Sequence, residues 1–244
     1  TLNNKCNAVF ITSDKTYKNN EWVWGYREND TLGGEDPYSS SKSIADILID
    51  SYYKNYFKNT KNIKVAATRA GNVIGGGDWS KNRIVPDIIN AIINNKSLNI
   101  RNPNSTRPWQ FVLEPLGGYL KTAYMLDKNK KLSGEAFNFG PKPSNNYSVK
   151  DLANKLIIKW PLNNKYKLYF SKSNMKESSL LKLNCEKSEK FLNWKSVLEF
   201  DDVINFTSKW YFNYYKKQKN IKEMSLEQIK IYEKLAYEKK IFSK

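Results

Sequence analysis

Ala8-Val-Phe-Ile-Thr12, Asp36-Pro-Tyr-Ser-Ser-Ser-Lys42 and Ile63-Lys-Val-Ala-Ala-Thr68 decide the fold between them. The first and third are short apolar runs, the pattern of parallel strands buried on both faces. Asp36 reads as an N-cap with proline at the first helical position, which predicts a helix from there to about Asn59. Ile44, Ile47, Leu48 and Tyr52 lie at i, i+3, i+4 and i+8 and give that helix one apolar stripe. Strand, helix, strand over roughly 60 residues is a βαβ unit, so the two strands should be parallel and the crossover right-handed.

Outward from this unit, helical spacing recurs near 84–94, 113–127 and 149–160, the last capped by Ser148. Short strands are expected near 97–101, 135–139 and 166–170. Asn184 is placed to cap a helix at 185–192, and residues 201–216 form another with Val203, Phe206, Trp210 and Tyr214 on one face. Ser225-Leu-Glu-Gln228 reads as a capping box opening a last helix to about Ile241. The class is α/β, with a more mixed C-terminal half.

Composition removes much chemistry. The 244 residues contain no histidine, which excludes Ser-His-Asp and Cys-His nucleophile pairs and histidine-ligated metals. Cys6 and Cys185 form neither a C-x-x-C pair nor a disulfide framework, and no metal site is expected. Acid-base work therefore falls to tyrosine, lysine, carboxylates or hydroxyls. The net charge of +17 comes from 36 lysines and five arginines against 24 acids. Lysine is enriched together with 30 asparagines. That reads as a background bias and not as a nucleic-acid surface, whose base readout favours arginine. Arg27, Arg69, Arg83, Arg101 and Arg107 are kept sparingly, as at sites where a planar fork matters. Trp210 to Tyr215, beside Lys216, Lys217 and Lys219, reads as helix packing with a snorkelling lysine end. The longest apolar runs are four residues (Ala8–Ile11, Ala123–Leu126), so no membrane helix or leader is expected, and the cytoplasm is the default compartment.

In open parallel sheets ligands sit beyond the carboxyl ends of the strands. Thr12-Ser-Asp-Lys15 and Arg69-Ala-Gly-Asn72 end the two strands and should face one crevice. Tyr38 and Lys42 share a face at the start of the intervening helix. An ammonium near a phenol favours the phenolate, and the Ser13 hydroxyl can bond the same oxygen, giving a general base without histidine. Gly75-Gly-Gly77 follows a strand without continuing as G-x-x-G into a helix, and reads as a turn.

These residues, with Thr12–Tyr17, Glu21–Glu28, Gly33–Lys42, Thr68–Trp79, Arg107-Pro-Trp-Gln110 and Leu181–Cys185, resemble in order the extended short-chain dehydrogenase/reductase family. Within it they resemble the sugar-nucleotide 4,6-dehydratases. The resemblance implies the C-terminal part of an NAD(P)-binding Rossmann fold at 1–75. A smaller mixed α/β substrate-binding domain would follow at 76–244, with segments returning to the Rossmann sheet. It implies NAD as cofactor and CDP-glucose or a similar nucleotide sugar as substrate. The chemistry it implies is oxidation at C4, loss of water across C5 and C6, and hydride return to C6. The product, a CDP-4-keto-6-deoxyglucose, would serve deoxysugar and lipopolysaccharide biosynthesis.

Residue by residue, the resemblance makes Tyr38 the base, Lys42 its activator and ribose anchor, and Ser13 the third member. Asp14 would protonate the departing C6 hydroxyl. Lys15 stands where the dTDP-specific enzymes carry a glutamate base, and its role stays open between base and positioning group. Ala70 and Asn72 would line the cofactor, and Asn72, Arg83, Arg107 and Asn138 the sugar nucleotide, though turn formation is an equal reading for Asn72 and Asn138. Phe111 stands where relatives often carry histidine, and Asp46 where they carry glutamate.

None of the 11 glycines forms a pyrophosphate-binding turn after a strand. The resemblance therefore implies a chain that begins just before the fifth Rossmann strand, with little activity by itself and a homodimer in the full-length enzyme. Two other readings stand beside it: an epimerase or decarboxylase of the same family, which the Ser-Asp-Lys cluster disfavours, and a non-catalytic fragment.

Overall fold

A computed structural model describes residues 4–142, 144–160, 167–171, 180–217 and 220–241. In chain order the elements are β1 (Cys6–Ile11), α1 (Pro37–Tyr52), β2 (Ile63–Ala70), β3 (Val73–Ile74), α2 (Ile84–Ile93), β4 (Leu98–Arg101), β5 (Thr106–Arg107) and β6 (Gln110–Phe111). They continue with α3 (Leu113–Lys128), β7 (Ala136–Phe139), β8 (Tyr147–Ser148), α4 (Val149–Ile158), β9 (Leu168–Ser171), α5 (Glu186–Leu192), α6 (Phe200–Lys216) and α7 (Ile221–Glu238).

β1, β2 and β7 form a parallel sheet in that order, with Cys6 opposite Ile63 and Ile11 opposite Thr68. The expected βαβ unit is thus present. Helices cover both faces. Asn7 of β1 donates to the Ala123 carbonyl of α3, while Thr12 donates to Asp46 of α1. Odd and even strand positions point to opposite faces. A cluster of Ala66, Ala70, Leu126, Phe137, Phe139, Leu192 and Trp194 joins the sheet to α3 and α5. A larger cluster joins α2, α4, α6 and α7 to β4 and β6 through Ile88, Ile92, Leu152, Leu156, Val203, Ile204 and Tyr211.

Four expectations need correction. β1 is not buried on both faces. It pairs only with β2 among the described residues, and Phe10 and Ile11 are 40% and 58% exposed. The apolar stripe of α1 points outward: Ile44, Ile47, Leu48 and Tyr52 are all more than half exposed. Its buried face is Ser39, Ser43 and Asp46, because that face meets polar partners on the β1 and β2 ends. α1 also stops at Tyr52 and continues as one π-helical turn, Tyr53–Phe57. Ser225 is no cap. α7 starts earlier, capped by Asn220, whose Oδ1 accepts from the amides of Lys222 and Glu223, and Ser225 instead accepts from Trp210 Nε1 at 3.0 Å. The capping of α4 by Ser148 is as read, with Asp151 completing a capping box. Residue 166, at the start of the strand expected at 166–170, lies outside the described residues.

Candidate active site

β1 runs out at Ile11, and a one-turn 3-10 helix, Asp14–Thr16, follows at once. Ser13 caps it, its Oγ accepting from the Lys15 amide at 3.2 Å and donating to Asp14 Oδ1 at 3.1 Å. Two hydroxyls fasten this turn to α1: Ser43 donates to the Thr16 carbonyl (2.8 Å) and Thr16 to the Lys42 carbonyl (3.4 Å). Ser13, Asp14 and Lys15 are thereby held beside the helix that carries Tyr38 and Lys42. The Lys42 ammonium lies 5.6 Å from the centre of the Tyr38 ring, which is 56% exposed. Asp36 caps that helix with Oδ1 3.0 Å from the amides of both Tyr38 and Ser39. Its bonds to Ser39 hold its carboxyl below the usual carboxylate range.

Asp14 is the unusual group. It is buried, its Oδ2 has no hydrogen-bond partner, and desolvation raises its pKa against the opposing pull of Lys15, Ser13 and Arg107. A carboxyl in such surroundings is suited to carry a proton. Arg107, on β5, is thus within electrostatic reach of Asp14. Its Nη1 donates to the Thr106 carbonyl (2.8 Å), and it lines a small cleft with Pro108, Lys142, Asn145, Lys182 and Leu183.

At the end of β2, Ala70 is buried and paired with Phe139. Asn72 follows, its carbonyl accepting from the Gln110 amide (2.9 Å) and its Oδ1 buried without a partner. Arg83 is exposed at the start of α2 and gives that helix no side-chain cap. Asn138 is different: it is fully buried and spent inside the chain. Its Oδ1 accepts from the Tyr17 hydroxyl (2.6 Å), and its Nδ2 donates to the carbonyls of Tyr26 (2.9 Å) and Asn184 (3.1 Å). The structure leaves its side chain no polar atom for a sugar.

Sequence reasoning missed the ion pair beneath the site. Arg69 donates through Nε (3.1 Å) and Nη2 (3.0 Å) to Asp46 Oδ1, and through Nη1 to the Tyr17 hydroxyl (3.0 Å) and the Glu28 carbonyl (2.9 Å). Burial raises the pKa of Glu28 and of Tyr17. The sparing use of arginine was the available signal. Phe111 is buried and packs edge-on against Phe206 at 5.1 Å. Trp210 and Tyr211 are likewise buried packing residues, in contact with Trp79. Among the described residues no group of His, Cys, Asp and Glu could hold a metal.

The sequence profile of the NAD dependent epimerase/dehydratase family matches residues 2–140, more than half of the chain. The chain belongs to that family. This epimerase/dehydratase chain is 42% identical over 209 residues to the CDP-glucose 4,6-dehydratase of Salmonella typhimurium, covering 84% of the chain and 58% of that protein. The chain thus spans well under two thirds of that relative's length. Its fold matches dTDP-glucose 4,6-dehydratase of Bacillus anthracis, solved in complex with NAD, at TM-score 0.67 and 21% identity, covering 86% of this chain and 61% of that one. It also matches UDP-glucose 4-epimerase of Thermotoga maritima, solved with UDP-glucose, at TM-score 0.71 and 16% identity, covering 86% and 64%. The α/β fold with its parallel sheet is therefore Rossmann-like. The epimerase fits as well as the dehydratase, so the fold does not choose between the two activities.

Proposed function

We propose that this chain carries the acid-base groups of an NAD-dependent sugar-nucleotide 4,6-dehydratase acting on CDP-glucose or a similar nucleotide sugar. One observation carries the choice of dehydratase over epimerase: the buried carboxyl of Asp14, whose Oδ2 has no hydrogen-bond partner, beside the Tyr38–Lys42 helix. Interconverting C4 epimers needs no acid at C6, whereas expelling the C6 hydroxyl does. The 42% identity to a CDP-glucose 4,6-dehydratase agrees with it.

Tyr38, exposed, and Lys42, half-buried, at the first turns of α1 fit the nicotinamide-ribose end of NAD, with Ala70 and Asn72 along the same crevice. The glycine-rich turn that would hold a pyrophosphate is not among these 244 residues. Bound NAD supplies hydride exchange at C4 and later at C6. The chain's own groups move the protons. Tyr38 Oη takes the C4 hydroxyl proton, with the Lys42 ammonium beside its ring and Ser13 orienting the sugar oxygen. Asp14 gives its proton to the C6 hydroxyl as it leaves as water. Lys15 faces the C5 side as base or positioning group. Arg107 and Arg83 contact the diphosphate, to which a guanidinium fork is matched.

In this reading the chain divides at residues 1–75 and 76–244, with α3, β7 and α5 returning to the sheet, and their shared cluster with β2 supports that division. The exposed stripe of α1 serves a homodimer. No described helix is long and apolar enough to cross a membrane, and the reading places the enzyme in the cytoplasm, feeding deoxysugars to lipopolysaccharide. The test is incubation with CDP-glucose and NAD of a protein that joins this chain to the glycine-rich turn of an NAD-binding half, the 244 residues by themselves being expected to show little activity. Loss of one water by mass spectrometry and the alkaline absorbance of a 4-keto sugar are expected, while a C4 epimer without water loss assigns the epimerase activity instead.

A further inference from the structure

Asp46 lies on α1 one turn beyond Lys42 and two beyond Tyr38, and its carboxylate divides its two oxygens between two different strands. Oδ2 accepts from Thr12 Oγ1 at 2.8 Å, the residue immediately before Ser13. Oδ1 accepts from Arg69 Nε and Nη2 at 3.1 and 3.0 Å, at the end of β2 and three residues before Asn72. The side chains of Arg69 and Asp46 are 5% and 1% exposed. One carboxylate therefore joins the helix bearing Tyr38 and Lys42, the strand end bearing Ser13 and Asp14, and the strand end leading to Asn72.

This link joins the hydroxyl bonds of Ser43 and Thr16 in setting the register of α1, where the helix's apolar stripe does not. Its apolar residues Ile44, Ile47, Leu48 and Tyr52 face away from the protein, and its buried face is Ser39, Ser43 and Asp46. Tyr38 is itself exposed, so packing of the phenol does not place it. A buried ion pair is a poor source of net stability, since desolvation offsets most of the attraction. It is a good source of geometry, because each charge-assisted bond has a narrow range of length and direction. Arg69 is held from its far side by the Tyr17 hydroxyl and the Glu28 carbonyl, so the fork cannot follow a drifting helix.

We propose that Asp46, through Thr12 and Arg69, is a positioning residue that sets the distance between the Tyr38–Lys42 pair and the Ser13–Asp14 turn. As a statement about catalysis it rests on the dehydratase reading above. As a statement about register it does not.

Thr12→Val removes the hydroxyl that donates to Asp46 Oδ2 (2.8 Å) and also reaches the Thr68 carbonyl (3.2 Å), keeping shape and ion pair, and Thr12→Ser keeps the hydroxyl. With CDP-glucose and NAD, Thr12→Val should lower kcat about tenfold with KM within about twofold, and Thr12→Ser should restore it, as expected when reacting groups are displaced by a fraction of an ångström. Amide hydrogen exchange over residues 38–46 should quicken about tenfold in Thr12→Val, return in Thr12→Ser, and stay unchanged in α6. Unchanged exchange in α1, or exchange quickened equally throughout the chain, overturns the proposal, as does a kcat unaffected by Thr12→Val. A parent protein that includes the glycine-rich turn and yields no 4-keto sugar refutes the dehydratase reading by itself, and the exchange measurement then still decides the register.

Discussion

The Tyr211 hydroxyl closes a two-way bond with the backbone of Asp78, donating to its carbonyl at 2.6 Å and accepting from its amide at 3.1 Å. Tyr211 is fully buried on α6, and burial pushes its phenol up to about 12, so the hydroxyl keeps its proton across the physiological range. The bond fixes the segment between β3 and α2, which carries Trp79 and leads to Arg83. Tyr211→Phe would leave both backbone groups without this partner, a cost of about 1–3 kcal/mol. A lower melting temperature is expected and, on the proposed function, a KM for the nucleotide sugar raised more than kcat is lowered. Calorimetry and initial rates check the two halves separately.

Gly76 and Gly77 lie in that same segment and should respond differently to alanine. A Cβ on Gly76 would stand 2.0 Å from Trp210 Cδ2, inside a buried ring. Trp210 would have to move, and overpacking of this kind costs about 1–3 kcal/mol. Gly77 has room, its nearest neighbour being 3.6 Å away, but φ is +82°. There the cost is backbone strain of about 1–2 kcal/mol. Gly76→Ala alone should disturb tryptophan fluorescence.

Asp14→Asn should separate activity from stability. On the proposed dehydratase reading a general acid contributes about 10²–10⁴-fold, so water elimination should fall by that factor, while exchange of the C4 hydrogen with NAD persists. Burial raises the Asp14 pKa, so the folded state binds its proton more tightly than the unfolded state. Its stabilising contribution is complete below the ordinary carboxylate range and is lost as pH rises through the raised value. The parent should therefore lose melting temperature on that climb, and Asp14→Asn should not. Turnover of the parent should decline over the same interval. Melting curves and rates from pH 4 to 9 read both signs.

On the proposed dehydratase reading Tyr38→Phe should lower hydride transfer by about 10²–10⁴-fold without loss of stability, because the ring is 56% exposed and its neighbours do not depend on the hydroxyl. A melting temperature unchanged within error and absence of label transfer from C4-deuterated substrate are the expected results.

Glu114 is buried at the first turn of α3 and accepts from the amides of Val197 (2.9 Å) and Leu198 (2.7 Å), the Ser196 hydroxyl (3.3 Å) and the Tyr232 hydroxyl (3.0 Å). Glu114→Gln replaces one acceptor oxygen with a donor facing other donors. A loss of about 1–3 kcal/mol is expected from the unmatched groups. Denaturant unfolding measures it, and Tyr232→Phe should cost less because only one bond goes.

Local patterns were legible wherever the reason was local. The Asp36-Pro37 cap, the Ser148 cap and the parallel pairing of β1 with β2 follow from short-range spacing and chain geometry, and the structure contains all three. The juxtaposition of Tyr38 with Lys42 followed from helical spacing alone. The false cap at Ser225 had correct local chemistry. It failed because the helix was already running from Ile221, a choice that a four-residue window does not contain.

The sequence by itself determined the order of the main elements and the family to which the chain belongs, and it supplied the Ser13-Asp14-Lys15 and Tyr38–Lys42 groups on which the proposed chemistry rests. Tertiary structure alone decided which face of α1 turns inward. Periodicity marks an apolar stripe but not what the opposite face meets, and here that face meets Arg69, 23 residues away from Asp46. It likewise decided that Asn138 belongs to the scaffold, since the partners that saturate its amide come from segments more than 40 residues distant. Burial and hydrogen-bond saturation are set by such long-range contacts, and they convert a plausible ligand contact into a structural one.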